Sequence, residues 1–313
     1  MAKDVRLKIN VYNWNSVLND VLPKLEEKHE LVDKYQDADV VVLWNEIKRA
    51  GFLDVVLGAQ KKGIPVILYQ QGVWGIDRVE PPFNEKIQSD VVLVWGQGDK
   101  DRLIKYGVPA EKIIITGSPV IQKLKPREEH EGKNVVFALE HWDWGDVPEN
   151  HIVAAELRKL EGANLITKGL DRENETDNFD NPIKSCRVDD NHLDVVANLL
   201  ARTDLVVAIS ESTFAFLAEV LDIPVILPDV WIQKPRAGEM AHLDFEKRHS
   251  DAVTIVPLKK LNKTIYKQLK HPEILREERK KNVALNGGIH IKDPVQNIIK
   301  CIESFSKQKI KEN

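Results

Sequence analysis

The sequence predicts an α/β protein made of two successive parallel-sheet domains, and three observations carry that expectation. Short apolar runs alternate with longer amphipathic ones, the pattern of repeated βαβ units. At 313 residues the chain exceeds the size at which single cores stop growing, so two domains are expected. Residues 125–133 (Lys-Pro-Arg-Glu-Glu-His-Glu-Gly-Lys) are charged, contain Pro and Gly and lack apolar periodicity, which marks a linker.

In the first half, residues 5–12, 39–44, 64–70, 91–95 and 113–116 read as strands, because Val/Ile/Leu runs of this length suit a sheet buried on both faces. Helical patterns lie between them at 16–30, 46–62, 84–88 and 98–106. Gly63 and Gly107 stand where a helix ends in a left-handed residue. After the linker, strands are expected at 134–139, 163–168, 184–188, 204–209, 224–227 and 252–256. The accompanying helices are expected at 149–161, 191–202, 212–222, 238–248, 261–269 and 272–284. Residues 170–182, rich in Asp, Asn and Glu, read as a solvent loop, and Gly287-Gly288 breaks the chain before a last helix at 294–307. The domains are therefore drawn at 1–125 and 126–293, with 294–313 crossing back to the first. Their two sheets are expected to face each other across a cleft.

All seven tryptophans, Trp14, Trp44, Trp74, Trp95, Trp142, Trp144 and Trp231, sit at or just past the carboxyl end of an apolar run. That end of an open α/β sheet is where ligands bind, and an amphipathic ring with one donor suits the rim of a polar crevice. The same rings also serve to cap the ends of a core.

Composition narrows the function classes. A formal net charge of -4 gives no general attraction to nucleic acid or anionic membrane. Two distant cysteines, Cys186 and Cys301, have no metal-ligand spacing and fit a reduced, cytoplasmic setting. The amino terminus runs straight into a strand pattern without a signal-peptide signature, and no apolar run is long enough for a membrane helix. The lysine-rich stretch 306–313 reads as a solvated end that can also touch an anionic surface, giving at most a peripheral membrane association.

The sharpest local signal is residues 204–213, where the buried run Leu-Val-Val-Ala-Ile leads into Ser210-Glu211-Ser212-Thr213 at the start of the next helix. The first turn of a helix has unmet N–H groups and a positive dipole end, so this is an anion site in waiting. Ser210 or Ser212 can equally act as a plain N-cap with nothing bound. No Walker glycine-lysine pattern and no G-x-G-x-x-G follows any strand, which argues against a P-loop kinase or a dinucleotide dehydrogenase.

A second concentration of chemistry is Glu140-His141-Trp142-Asp143 after the first strand of the second domain. His141 can act as a general base or, protonated, as a cation, since its ordinary pKa lies near neutrality. Asp143 or Glu140 can orient that ring, and a packing or capping role for His141 is the alternative. Lys168, at the end of the next strand, can pair with a phosphate oxygen or simply be solvated. In the first domain, Asn13 and Trp14 follow the first strand and Glu46 the second, at the level where an open sheet binds ligands, and Glu46 is a candidate base. His242, Glu246, His249 and Asp251 do not form a metal motif.

Four segments carry a family resemblance: Gln70-Gln71-Gly72, residues 89–96 ending in Trp95-Gly96, Leu103–Pro109 with Gly107, and Lys112–Pro119 with Gly117. Together they resemble the amino-terminal half of GT-B fold surface-polymer transferases, in which an "HG" turn, a "WG" strand end, a glycine turn and a "K-I-x-x-x-G-x-P" segment follow in order. The Ser212-Thr213 turn and the strand after it resemble that group's nucleotide-diphosphate site, and Gly287–Ile298 resembles its closing glycine turn and helix. CDP-glycerol glycerophosphotransferases, Kdo-type capsule transferases and, more distantly, UDP-N-acetylglucosamine 2-epimerase are the similar families. The resemblance implies two Rossmann-like domains, with the acceptor on the first and the donor on the second. It places the loops of Asn13, Trp14 and Glu46 on the acceptor side, with Gln71, Gly72 and Trp74 there too, and the turn Ser210-Glu211-Ser212-Thr213 on the donor side, where Lys168, Glu140 and Trp142 are further candidates by their chemistry.

Three departures stand against it. Gln71 replaces the histidine that many relatives carry and cannot act as a base. Leu217 occupies the place of a ribose-binding glutamate, and Glu219, two residues on, is about 200° around the helix. The epimerase's Ser-Gly-Gly turn is replaced by Ser210–Thr213. The expectation is a metal-independent transferase, without a cofactor, that moves a glycosyl or glycerophosphate-like unit from a nucleotide-sugar or CDP-alcohol donor to a carbohydrate or lipid-linked acceptor. A 2-epimerase and a non-catalytic nucleotide- or carbohydrate-binding protein are the alternatives.

Overall fold

A computed structural model of the chain describes residues 6–12, 18–44, 46, 51–72, 87–105, 107–139, 148–169, 184–186, 192–210, 212–230 and 250–312. The chain divides into two compact units, Met1–Gln122 with Ala284–Asn313, and Lys123–Val283. Each is built on a six-stranded, wholly parallel sheet.

In the first unit the strands are β1 (Lys8–Val11), β2 (Glu30–Leu31), β3 (Val40–Leu43), β4 (Val66–Tyr69), β5 (Val91–Val94) and β6 (Ile113–Ile115), in the spatial order β2-β1-β3-β4-β5-β6. Its helices are α1 (Leu22–Glu26), α2 (Phe52–Lys61), α3 (Gln97–Lys105) and α4 (Pro119–Gln122). The central strands β3, β4 and β5 are buried at every position, as their unbroken Val/Ile/Leu runs require of strands covered on both faces. One core layer joins Val41, Leu43, Val66, Leu68, Val92 and Val94 to Phe52, Val56 and Ala59 of α2.

The second unit holds β7 (Asn134–Ala138), β8 (Asn164–Lys168), β9 (Lys184–Cys186), β10 (Leu205–Ala208), β11 (Val225–Pro228) and β12 (Thr254–Val256), ordered β12-β11-β10-β7-β8-β9. Helices α5 (Pro148–Leu157), α6 (His192–Ala201), α7 (Thr213–Val220) and α8 (Leu261–Lys270) belong to it. Helix α9 (Arg276–Asn286) contains the point at which the chain passes back to the first unit, and α10 (Pro294–Glu312) follows there. No helix among the described residues is long and apolar enough to cross a membrane.

Strand positions match the sequence expectation to within one to three residues, but the helices correct it. The expected helix 16–30 contracts to α1, because the chain turns at His29 and adds the two-residue edge strand β2, too short to show as a run. Residues 87 and 88 of the expected helix 84–88 are not helical: Ile87 packs into the core. Residues 272–275 form a turn ahead of α9, with Leu275 in the left-handed region at φ 60°, and α10 runs five residues further than expected. The expected helix 238–248 lies outside the described residues.

The glycine turns take their expected form, since Gly63 and Gly107, at φ 73° and 88°, end α2 and α3. Gly288 (φ 58°) is tighter: a Cβ there would collide with the carbonyl oxygen of Trp95, and one on Gly96 would come within 2.5 Å of the Leu285 carbonyl oxygen. The Trp95-Gly96 turn and the Gly287-Gly288 turn are therefore two halves of one backbone contact. Pro294 and Ile291 press on Gly117 in the same way, and Gln122 Nε2 donates to the Lys292 carbonyl at 2.7 Å.

The charged segment 125–133 docks on the second unit. Asp204, at the start of β10, accepts from Arg127 Nη2 at 3.0 Å and from the Asn134 backbone at 2.9 Å, while Glu128 meets Arg202 at 2.7 Å.

Candidate functional site

In an open parallel sheet, neighbouring strands whose outgoing connections diverge to opposite faces leave a crevice at their carboxyl ends, and ligands bind there. The strand orders place that divergence between β7 and β10 in the second unit and between β1 and β3 in the first. Most of the expected site residues lie on the connections that leave these four strands, while Lys168 ends β8 and Gln71, Gly72 and Trp74 follow β4.

In the second unit, β10 runs through Ile209 into Ser210 and then α7, where Ser212 is the N-cap with extended backbone (φ -83°, ψ 171°). Its Oγ accepts from the Ala215 N–H at 3.4 Å, its own N–H donates to the Ser210 carbonyl at 2.9 Å, and its carbonyl accepts from Phe216. Thr213 is the first helical residue and half-buried. Buried Lys168 ends β8, with its Nζ 5.6 Å from the centroid of the Phe214 ring in the first turn of α7. A hydroxyl pair, a helix amino end and an ammonium thus share one edge of this unit, suited to a phosphate-bearing ligand. The connection leaving β7 begins at Leu139, whose N–H donates to the Lys168 carbonyl at 2.9 Å. Glu140, His141, Trp142, Asp143 and Trp144 on it, together with Glu211 and Trp231, lie outside the described residues.

Both residues in the ribose question are buried on α7. Leu217 lies in the core, and Glu219 accepts from Asn282 Nδ2 of α9 at 2.6 Å. Glu219 is thereby committed to helix packing. The far end of α7 is fixed more firmly still: Asp222 (φ 57°) accepts from Arg276 Nε at 2.6 Å and from Arg279 Nε and Nη2 at 3.0 and 2.6 Å. The Arg279 guanidinium, only 1% exposed, also donates to the carbonyls of Ile274 and Pro272.

In the first unit, Asn13 and Trp14 leave β1 and lie outside the described residues, as does Trp74. Glu46, after β3, is described. Its two carboxylate oxygens accept from the backbone N–H groups of Gln88 and Ser89 at 2.8 and 2.9 Å, tying down the segment ahead of β5. Burial raises its pKa, opposed by these hydrogen bonds and by the charge of Lys112. Trp44 is partly buried: its ring meets Phe52 edge-on at 5.0 Å and packs against the core layer under α2.

Gln71 and Gly72 follow β4, and a buried network that the sequence did not announce holds them. Gln70 Oε1 accepts from the Trp95 N–H at 2.8 Å, and its Nε2 donates to the Gly72 carbonyl at 3.1 Å and to Asp99 Oδ2 at 3.0 Å. The Trp95 indole donates to the Gln70 carbonyl at 3.1 Å, so this tryptophan is buried scaffolding. The one available signal was a glutamine directly after one apolar strand and an aspartate five residues past the next.

No family model matches the chain, and no curated protein matches it in sequence. Solved structures do match it in shape. The wall teichoic acid polymerase TagF in a form soaked with CDPG superposes with a TM-score of 0.60 at 12% identity, covering 98% of this chain and 90% of that one. The UDP-GlcNAc 2-epimerase of Neisseria meningitidis bound to UDP-GlcNAc gives 0.61 at 11% identity, with 94% and 98% covered. HepE of Anabaena in complex with UDP-glucose gives 0.57 at 11% identity, with 95% and 100% covered. The chain has the two-domain GT-B α/β fold.

Proposed function

We propose that this chain is a transferase that moves a glycosyl or glycerophosphate-like unit from a nucleotide-activated donor to a carbohydrate-type acceptor. The observation that carries the reading is the clustering of Ser210, Ser212, Thr213 and Lys168 at the carboxyl edge of the second sheet, beside the divergence of β7 and β10. A nucleoside diphosphate fits that edge: helix N–H groups and hydroxyls donate to its oxygens, and the ammonium adds charge without fixed geometry. Preorganised donors of this kind also stabilise charge on a departing phosphate, and catalysis then rests on orientation together with that stabilisation. His141, on the connection leaving β7, takes the role of base or acid, with Asp143 or Glu140 as its orienting partner. The similar structures support a nucleotide-type donor through the ligands bound in them, UDP-GlcNAc, UDP-glucose and CDPG.

Titration calorimetry of the full chain with UDP, CDP, CMP, GDP and TDP tests the donor site. The double variant Ser212→Ala, Thr213→Ala is expected to weaken the preferred nucleotide by about tenfold or more, since each lost charge-assisted bond is worth about 1.5–3 kcal/mol. Unchanged binding would sink the assignment. His141→Ala is expected to keep nucleotide affinity and lose turnover; full turnover in that variant removes His141 from the chemistry. The match to UDP-GlcNAc 2-epimerase keeps a second reading open, whose signature is conversion of UDP-GlcNAc with no acceptor added.

A further inference from the structure

We infer that the outer face of α8, in the second unit, is a docking surface for an anionic lipid membrane, which it meets through a stripe of lysines. Residues 258–271 hold five lysines, Lys259, Lys260, Lys263, Lys267 and Lys270, and no acidic residue, in a chain whose formal net charge is -4. At about 100° per residue, positions 260, 263, 267 and 270 fall within an arc of about 80°, on the side of the helix opposite the buried Ile265. All five lysines are exposed, and none makes an ion pair among the described residues.

The stripe works against the helix that carries it. Lys260 caps the amino end and Lys263 lies in the first turn, where the helix dipole is positive, and that turn has no acidic residue. Helix α9, by contrast, starts with Glu277 and Glu278. The pairs 260–263, 263–267 and 267–270 add like-charge repulsion at the spacing where helix side chains meet. Only Lys267 and Lys270, in the last turn, suit their place on α8. Nearby acids are engaged elsewhere: Glu156 pairs with Lys159 at 2.6 Å and Glu273 with His271 at 3.2 Å. Lysines one turn apart, about 5 Å along the axis, stand inside the Debye length of about 8 Å at physiological salt, so an outside anionic surface meets them as one field.

The residue types select the partner. Residues 258–271 contain no arginine, so the bidentate grip on phosphates common at nucleic-acid interfaces is missing. The one aromatic ring on the helix, Tyr266, has its hydroxyl tied to the backbone of Glu161 at 2.8 and 3.0 Å, and no second ring stands beside it to stack bases. Compact, hydrated ammonium groups along a line suit the headgroups of a fluid anionic bilayer, where each charge finds its own lipid. This surface does not depend on the transferase reading.

The test is co-sedimentation of the full chain with vesicles of pure phosphatidylcholine and with vesicles of equal parts phosphatidylcholine and phosphatidylglycerol, at physiological and at high salt. Binding is expected only to the mixed vesicles and is expected to fall away at high salt. The combined variant Lys260→Gln, Lys263→Gln, Lys267→Gln, Lys270→Gln should bind about a hundredfold or more weakly, and the same four positions changed to arginine should keep binding. Lys263→Glu, which places an acid at the positive helix end, should lose about fivefold or more and covers the case of a combined variant that does not fold. Neutralising Lys307, Lys309 and Lys311 of the tail to glutamine should leave binding close to wild type. No binding to the mixed vesicles, equal binding to pure phosphatidylcholine, full binding in both stripe variants, or a loss confined to the tail variant overturns the surface. Binding of a short DNA duplex but not of vesicles, lost in the same stripe variants, overturns the membrane and assigns the stripe to nucleic acid.

Discussion

Single side chains decide several energies in this molecule, and Glu46 is the most measurable. Its pKa is raised above 4.5 in the folded chain, so between 4.5 and the raised value the folded state holds more protons than the unfolded one. Its contribution is therefore complete below 4.5 and is lost as pH rises through the folded-state value. Thermal unfolding of wild type against Glu46→Gln across that window should show wild type losing ground to the variant as pH rises. Glutamine does not titrate, so the variant lacks this contribution to the pH slope. Asp222 makes a second case. Removing it leaves the buried Arg279 charge without its carboxylate, so Asp222→Ala should cost about 3–5 kcal/mol in urea denaturation. Asp222→Gly should cost about 1 kcal/mol less, since glycine relieves the left-handed backbone at φ 57°. Equal losses in the two variants would mean that the backbone term is absent.

Among the elements, the glycine turns separate two kinds of constraint. Gly107 has open space around its missing Cβ, so Gly107→Ala should cost only the left-handed strain of about 1–2 kcal/mol. Gly288→Ala adds a collision with the Trp95 carbonyl and should cost clearly more, with chemical-denaturation midpoints as the measure. The strands were legible because β3, β4, β5, β10 and β11 are covered on both faces and must be apolar without interruption. Helix ends were less so: α1 stops at Glu26 because the chain is drawn into pairing with β1, a tertiary demand no local pattern encodes. The Ser212-Thr213 turn could be read from the strand that feeds it and the helix that follows. The Gln70–Asp99 bond could not, since a buried polar side chain looks in sequence like an exposed one. The partial burial of Trp44 has the same origin: position past a strand end fixes a ring's level in the sheet but not which side of it the ring takes.

For the whole molecule, α10 is the element on which the first unit depends. Val295, Ile298, Ile299 and Ile302 are buried, and Glu303 receives His29 Nε2 at 3.1 Å. Burial of four such side chains is worth roughly 6–12 kcal/mol, comparable to the roughly 5–15 kcal/mol that holds a domain folded. Deleting residues 294–313 should therefore leave the first unit unfolded, seen as loss of slow hydrogen exchange in β3, β4 and β5. A variant that keeps this protection would show that α10 is dispensable.

The discontinuity of the first unit also orders events during synthesis. Domains ordinarily mature from the amino end as they leave the ribosome, but this first unit lacks its closing layer until residues 284–313 have emerged. The stretch Lys123–Val283, made later, is complete earlier. A nascent chain that has emerged only as far as about residue 283 would thus carry a finished second unit behind an open first sheet, whose uncovered face is a natural client for chaperones.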